Sequence, residues 1–353
     1  MKIKQITDEK GRHMSNESNK KYGIGLDVGT MNLICARYEG QGVDIQVMRD
    51  AFLDLEVESK KTLKMSQVDF IEIADQLIVL GEPALQMANL FKREVRRPLS
   101  KGLISPGELK LHIVLSKLVY AILDEARVTG EHCYYSVPAE PFDLPGQDVA
   151  YHTEVFRKII EKSGYTAHPM NEAMAIIYSQ CSSSNYSGLA ISFGAGLCNV
   201  ALSFKAMMGA SFSIARGGGD WIDEHSAKAV GSTSSRMCSI KERGEFNLSD
   251  PPKDNPDAEA IALYVRNLIH NCLTDIAKKI RKDQSGIDLT DPIPIVLAGG
   301  TTLAKGFLNV FKEEFAKEEA KGFPLSISEI RLAQDQMNAV AQGLLVLANQ
   351  EYD

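Results

Sequence analysis

Three short glycine-rich turns are the segments of this sequence best suited to chemistry. Each follows an apolar run typical of a buried strand, and they cover residues 27–30, 194–196 and 299–301. Glycine lets backbone N–H groups approach a ligand closely, and clusters of such groups bind phosphate oxygens. Asp27 in the first turn adds a carboxylate of the kind that holds hydrated Mg²⁺. Together the turns predict a site for a phosphorylated ligand and a magnesium ion.

The elements that position these turns are repeated along the chain. Residues 22–28 and 32–38 are predicted to form two strands joined by the first turn. Residues 187–193 and 199–204 follow the same order around the second turn, about 165 residues later. The repetition predicts a duplicated domain, with one phosphate-binding hairpin in each half.

The composition limits the class of protein. The chain has 353 residues, 44% of them hydrophobic and 24% charged, which is typical of a soluble globular protein with room for two domains. A net charge of −7 argues against a general nucleic-acid binder, so no direct nucleic-acid partner is expected. The basic run that contains Lys92, Arg93, Arg96 and Arg97 is better explained as a solvated helix face than as a nucleic-acid patch.

The cysteines and the apolar runs indicate where the protein functions. Six cysteines lie far apart without a metal-binding spacing, which predicts reduced thiols in a cytoplasmic protein. No apolar run approaches the roughly 20 residues needed to span a bilayer, so we expect no membrane anchor.

The order of six short motifs resembles the ATPase superfamily that contains actin, the heat-shock chaperone ATPases and the sugar kinases. The matching segments are residues 25–32, 137–139, 171–173, 193–196, 217–220 and 297–302. The resemblance covers about residues 22–347. It implies the actin-like ATPase fold, an α/β fold in which two duplicated ribonuclease-H-like domains flank a nucleotide cleft.

The resemblance also implies a division of the chain. The expected parts are a disordered tail at 1–21, domain I at 22–164 with an insertion at about 51–106, domain II at 165–347 with an insertion at about 220–293, and a second tail at 348–353.

Individual roles follow from the same resemblance. Asp27 is expected to hold Mg²⁺ through water. The residues expected to bind ATP are Gly29, Thr30, Met31, Asn32, Gly194, Ala195, Gly196, Leu197, Gly218, Gly219, Lys241, Glu242, Gly299, Gly300 and Thr301. Lys241 and Glu242 would lie near the ribose or the base, or else belong to an ordinary helix surface.

Two positions depart from the family pattern. Ser192 stands where relatives usually carry an aspartate, and a neutral hydroxyl cannot supply the charge that orders magnesium and the attacking water. Leu197 stands where relatives often carry a threonine. We therefore expect slow ATP hydrolysis, or ATP binding mainly as a conformational ligand.

The residue that orients the attacking water has several candidates. Relatives supply it from the first connecting segment, where Glu140, Asp143, Gln147 and Asp148 compete in this chain. Gln147 and Asp148 are favoured because they lie at the entrance of the following helix, although Asp148 could instead be a helix N-cap.

Size and motif style resemble the bacterial MreB, MamK and ParM types most. That resemblance implies a cytoplasmic protein that self-associates into filaments when it binds nucleotide, with a cargo or adaptor protein as a further partner. The alternative is a non-filamentous nucleotide-dependent switch or chaperone-like adaptor. The sequence leaves open the choice of ATP or GTP and the cellular process.

Overall fold

The computed structural model describes residues 21–40, 42–104, 109–144, 146, 149–283 and 291–352. The N-terminal tail predicted at residues 1–21 therefore lies outside the described residues, apart from Lys21.

The first half of the chain alternates strands and helices. Its elements are β1 (Ile24–Val28), β2 (Asn32–Glu39), β3 (Gly42–Arg49), β4 (Phe52–Glu56), α1 (Lys60–Met65), β5 (Ile71–Ile73), β6 (Gln76–Leu80), α2 (Glu82–Phe91), β7 (Leu99–Ser100), β8 (Leu103–Ile104), α3 (Leu109–Leu123), β9 (His132–Val137), α4 (Val149–Lys162), β10 (Thr166–Asn171) and α5 (Glu172–Gln180).

The second half follows a similar order. Its elements are β11 (Gly188–Phe193), β12 (Cys198–Phe204), β13 (Met207–Ile214), α6 (Gly219–Val230), α7 (Ser234–Arg243), α8 (Pro256–Asp283), β14 (Ile293–Ala298), α9 (Phe307–Ala320), β15 (Ile327–Leu332) and α10 (Ala339–Gln350). Helix α10 thus extends into the segment predicted as a C-terminal tail.

Two five-stranded sheets share one topology. The first has the order β3-β2-β1-β9-β10 and the second the order β13-β12-β11-β14-β15. In each sheet the first three strands are antiparallel, and the last two continue parallel to the central strand. The central strands β1 and β11 are buried along their whole length, as expected for strands covered on both faces. The shared topology confirms the predicted duplication.

Helix α10 packs at backbone distance against the first half. A Cβ atom at Gly25 of β1 would lie 2.1 Å from the carbonyl oxygen of Ala341, and one at Gly343 would lie 1.8 Å from that of Ala175. Only glycine fits at either position, because any side chain would overlap the neighbouring backbone. The two glycines therefore fix where α10 lies against β1 and α5.

The two segments predicted as insertions differ in structure. Strands β4, β6 and β5 form a small sheet with its own apolar core, to which α1 and α2 contribute. Residues 219–283, all described, contain helices α6 to α8 and no strand. The boundaries of domains and insertions remain predictions, and β10, which begins just after the predicted division at 164, pairs with β9 of the first sheet.

The basic residues that follow α2 form ion pairs with other parts of the fold. Arg93 pairs with Glu56, Arg96 with Asp54 and Arg97 with Asp220. Within the described residues, no helix is both long and apolar enough to cross a bilayer.

Candidate functional site

A cavity of about 1240 Å³ lies between the two sheets, and all three glycine-rich turns line it. Of the residues predicted for the site, those lining the cavity are Asp27, Gly29, Thr30, Met31, Asn32, Ser192, Gly194, Ala195, Gly196, Leu197, Gly219, Lys241, Glu242, Gly299, Gly300 and Thr301. Gly218 lies behind the second turn, where a Cβ atom would be 2.4 Å from the carbonyl oxygen of Ala195. Gln147 and Asp148 lie outside the described residues.

The first two turns are built in the same way. In the first, the N–H of Gly29 donates to the carbonyl of Asn32, and in the second the N–H of Gly194 donates to that of Leu197, each at 3.1 Å. The two tips also meet, because a Cβ atom at Gly196 would lie 2.4 Å from Oγ1 of Thr30. The hairpins therefore face each other across the cavity in a closed arrangement.

The third turn supports the second. Gly299 has φ of +93°, and a Cβ atom there would lie 2.5 Å from the carbonyl oxygen of Phe193, so this position requires glycine. The hydroxyl of Thr301 donates to the carbonyl of Gly194 at 3.1 Å. The turn at the end of β14 is therefore held directly against the turn at the end of β11.

The start of α6 also holds the second turn. The N–H groups of Gly219 and Asp220 donate to the carbonyls of Gly194 and Ala195 at 2.9 and 2.8 Å. These bonds satisfy two N–H groups that a helix N-terminus leaves unpaired, so the second turn and α6 form one rigid unit.

Asp27 is held at the end of β1 by a serine of the neighbouring strand. The hydroxyl of Ser136 on β9 donates to Oδ1 of Asp27 at 2.8 Å and accepts the N–H of Val28 at 2.7 Å. The parallel pairing of β1 with β9 brings these residues together although they are more than a hundred positions apart.

Glu172 is the residue of the site that sequence reasoning missed. It is the first residue of α5, which Asn171 caps by accepting the N–H of Met174. Its carboxylate lines the cavity, where Ser192 donates to one oxygen at 2.7 Å and Asn199 donates to the other at 2.6 Å. A signal was present, because residues 171–173 matched a family signature, but that match carried no assigned role.

Asp27 and Glu172 influence each other's protonation. Burial raises the pKa of Asp27 to about 6, although the hydrogen bond from Ser136 acts in the opposite direction. Burial and the nearby charge of Asp27 raise the pKa of Glu172 to about 8. The charge of Asp27 opposes the ionisation of Glu172, and a cation bound beside them would favour both ionised forms.

Lys241 and Glu242 form ion pairs at the side of the cavity. The ammonium of Lys241 lies 2.7 Å from Asp223 and donates to the carbonyl of Gly219 at 3.0 Å, which joins α7 to α6. Glu242 pairs with Arg49 of β3 at 3.3 Å, so this contact joins the two halves across the cavity.

Two candidates for orienting water are used elsewhere in the fold. Asp143 accepts the N–H groups of Ala215 and Arg216 at 2.7 and 3.2 Å. The carbonyl of Glu140 accepts the N–H of Ser213, and neither Glu140 nor Asp143 lines the cavity. Both residues therefore attach the first connecting segment to β13 and the turn that follows it.

The family of the protein follows from its sequence. Residues 22–348 match the sequence model of a protein family described as Volactin. The chain belongs to the volactin family. No curated protein matches it significantly.

Solved structures resemble this volactin-family protein along nearly its whole length. A MamK double helical filament is 16% identical, with 93% of this chain and 99% of that chain covered and a TM-score of 0.69. MreB 5 of Spiroplasma citri bound to AMPPNP is 16% identical, with 95% and 98% covered and a TM-score of 0.62. The ethanolamine utilization protein EutJ of Carboxydothermus hydrogenoformans is 15% identical, with 92% and 89% covered and a TM-score of 0.53.

These likenesses establish the actin-like fold, so the predicted fold class is confirmed. The carboxyls of the volactin-family protein also fit a magnesium ion. Mg²⁺ usually keeps several waters and binds one or two protein carboxylates together with substrate phosphates. Asp27 supplies such a carboxylate, and the described residues contain no group of three or more ligands that would hold a metal by themselves.

Proposed function

We propose that this volactin-family protein binds Mg²⁺–ATP between its two hairpins, hydrolyses it slowly, and polymerises into filaments when the nucleotide is bound. The observation that carries the proposal is the pair of facing glycine-rich tips, with Asp27 and Glu172 beside them in one cavity.

The backbone of the two tips supports phosphate binding. Both turns have the same internal hydrogen bond, and glycines keep their backbones open to the cavity. A triphosphate between them would contact both halves at once, so its binding free energy favours the closed arrangement over an open one. The magnesium ion would neutralise phosphate charge, with Asp27 as its protein carboxylate and Glu172 left for the attacking water.

We assign the orientation of the attacking water to Glu172 in preference to Gln147 or Asp148. Ser192 and Asn199 occupy one lone pair on each oxygen and fix the carboxylate in place. Burial raises the pKa of Glu172, and the charge of the bound magnesium ion would keep the carboxyl ionised, in the form that accepts a proton from water. The side-chain Oδ1 of Asn199 also accepts the N–H of Ala139, which links Glu172 to the first connecting segment.

The structural neighbours support assembly. MamK was solved as a double helical filament, and MreB 5 of Spiroplasma citri was solved with AMPPNP. This chain also exposes apolar side chains suited to a contact between copies. Met207 and Met208, at the turn between β12 and β13, are 66% and 58% exposed. We propose self-association through surfaces that include this turn, in a cytoplasmic protein that also binds a cargo or adaptor protein.

Each of the two predicted domains has a role in this mechanism. Domain I (22–164) and domain II (165–347) would be the two bodies that close on the nucleotide. In this arrangement the ion pair of Arg49 with Glu242 forms only when the cavity is closed.

Nucleotide binding and sedimentation test the proposal together. A fluorescent ATP analogue is titrated with and without Mg²⁺, with the matching GTP analogue alongside, and the protein is then centrifuged at high speed. We expect magnesium-dependent binding and a pellet that forms with ATP but not without nucleotide. Met208→Glu should bind nucleotide as the wild type does but stay in the supernatant. A single small species by analytical ultracentrifugation with ATP bound would instead identify a non-filamentous switch.

A further inference from the structure

Arg97 occupies a position between the two halves of the molecule. Its neighbour Arg96 forms an antiparallel bridge with Phe52, in which each N–H donates to the other's carbonyl at 2.9 Å. In an antiparallel pair, the residue after Arg96 lies opposite the residue before Phe52. Arg97 is therefore held next to Ala51 and close to Asp50, at the start of the first insertion.

The present partner of Arg97 belongs to the second half. Its guanidinium binds both carboxylate oxygens of Asp220, at 3.1 and 3.0 Å. Asp220 lies in the first turn of α6, and its N–H donates to the carbonyl of Ala195 in the second glycine-rich turn. The ion pair therefore connects the first half directly to the unit that carries the second turn.

Asp50 is a second carboxylate available to the same arginine. It is fully buried, and neither of its side-chain oxygens has a hydrogen-bond partner. Its N–H donates to the carbonyl of Met31 at 3.0 Å, which attaches it to the first glycine-rich turn. Burial raises the pKa of Asp50 well above its usual range, and the charge of Arg97 acts in the opposite direction.

A buried carboxyl without a partner is costly, so the position of Asp50 calls for an explanation. We propose that Arg97 exchanges partners, binding Asp220 when the cleft is closed and Asp50 when it is open. The exchange rests on the proposed function, in which nucleotide favours closure. Opening carries Asp220 away with the second turn, and Asp50 then satisfies the guanidinium in its place.

The exchange makes opposite predictions for two isosteric variants. Asp50→Asn removes the partner of the open state and shifts the population toward closure, whereas Asp220→Asn removes the partner of the closed state and shifts it toward opening. Because the pair with Asp220 is partly exposed, each shift should be about threefold.

Hydrogen exchange of the nucleotide-free protein measures this shift. Residues 99–104 form the turn that packs against the second half, where a Cβ atom at Gly102 would lie 2.5 Å from Cδ2 of Leu197. We expect their amides to exchange more slowly in Asp50→Asn and faster in Asp220→Asn. Asp54→Asn is the matched control, since Asp54 pairs with Arg96 within the first half and should leave this exchange unchanged.

The exchange of partners is tested most directly in an Arg97→Gln background. In that background Asp50→Asn should have no further effect on hydrogen exchange. The proposal would be overturned if hydrogen exchange at residues 99–104 is unchanged in Asp50→Asn. It would also be overturned if Asp50→Asn still alters that hydrogen exchange in the Arg97→Gln background. Release of a fluorescent ATP analogue is measured in parallel and should be about threefold slower in Asp50→Asn. If the wild type binds no nucleotide, the proposed function fails. Hydrogen exchange measured on the nucleotide-free protein still decides the role of Arg97.

Discussion

The hydroxyl of Ser192 donates a 2.7 Å hydrogen bond to the carboxylate of Glu172. The sequence resemblance led us to expect an aspartate at position 192, and a carboxylate there would lie against Glu172 instead of donating to it. The serine and the glutamate are therefore complementary. The departure from the family pattern leaves Glu172 as the carboxylate that accompanies Asp27 in the cavity.

Replacing Ser192 by aspartate should destabilise the nucleotide-free protein. Ser192→Asp puts a second buried carboxylate against Glu172, and like charges in contact inside a protein disfavour each other's ionised form. We expect the free energy of unfolding to fall by about 2 kcal/mol at pH 7.5. Denaturant unfolding with and without Mg²⁺–ATP measures this, and the added magnesium should restore part of the loss. Ser192→Ala, which adds no charge, is the control; an equal loss in both variants would contradict the explanation.

Glu172→Gln should separate hydrolysis from binding. The amide keeps the shape of the side chain but cannot accept a proton, so phosphate release should slow about 100-fold. Binding of a fluorescent ATP analogue should change far less, because the glycine-rich turns are intact. Glu245→Gln is a suitable control, since Glu245 is exposed and lies outside the cavity lining. Phosphate release at the wild-type rate in Glu172→Gln would exclude Glu172 as the base.

The stability of the nucleotide-free protein should fall as the pH rises from about 5 to 8. In this range the folded state, with the pKa of Glu172 raised from 4.5 to about 8 and that of Asp27 raised to about 6, binds more protons than the unfolded chain. The free energy of unfolding decreases with pH wherever the folded state binds more protons, and we expect a loss of about 5 kcal/mol. Urea titrations across the pH range measure it.

The same titrations on Glu172→Gln supply the control for the carboxyl pair. This variant removes the larger of the two shifts, so its stability should depend much less on pH. A wild-type slope that survives in Glu172→Gln would show that other groups cause the pH dependence.

Gly343→Ala should disrupt the packing of α10 against α5. An added Cβ would lie 1.8 Å from the carbonyl oxygen of Ala175, so helix and neighbour must move apart, at a cost of about 3 kcal/mol. Gly42→Ala is the matched control, because its nearest contact is 3.8 Å away and its φ is not positive. Thermal unfolding compares the two. A loss below about 0.5 kcal/mol in Gly343→Ala would contradict the packing described for α10.

Much of the fold could be predicted from the sequence because its signals are local. The glycine-rich turns at 27–30 and 194–196 follow apolar runs that can only be buried strands, and their repetition indicates the duplication. Gly299 was found for the same reason. Gly29, Gly196 and Gly299 lie too close to neighbouring backbone for a Cβ atom, and glycine is a residue type that is easily recognised in a sequence.

Glu172 could not be found in the same way. Its place in the cavity depends on the pairing of β10 with β9 and on the start of α5, and its partners Ser192 and Asn199 lie on β11 and β12. No spacing rule links these residues. Glu140 and Asp143 were considered because they lie in the first connecting segment, but loop carboxylates often serve as caps, and Asp143 accepts two backbone N–H groups in this fold.

The central claim is that occupancy of the cavity by Mg²⁺–ATP drives self-association. The most direct measurement is 90° light scattering of the purified protein on addition of Mg²⁺–ATP, with negative-stain microscopy of the same sample. We predict a rise in scattering with visible filaments, and no rise without nucleotide or without magnesium. A flat signal from protein that has bound the nucleotide would contradict the claim.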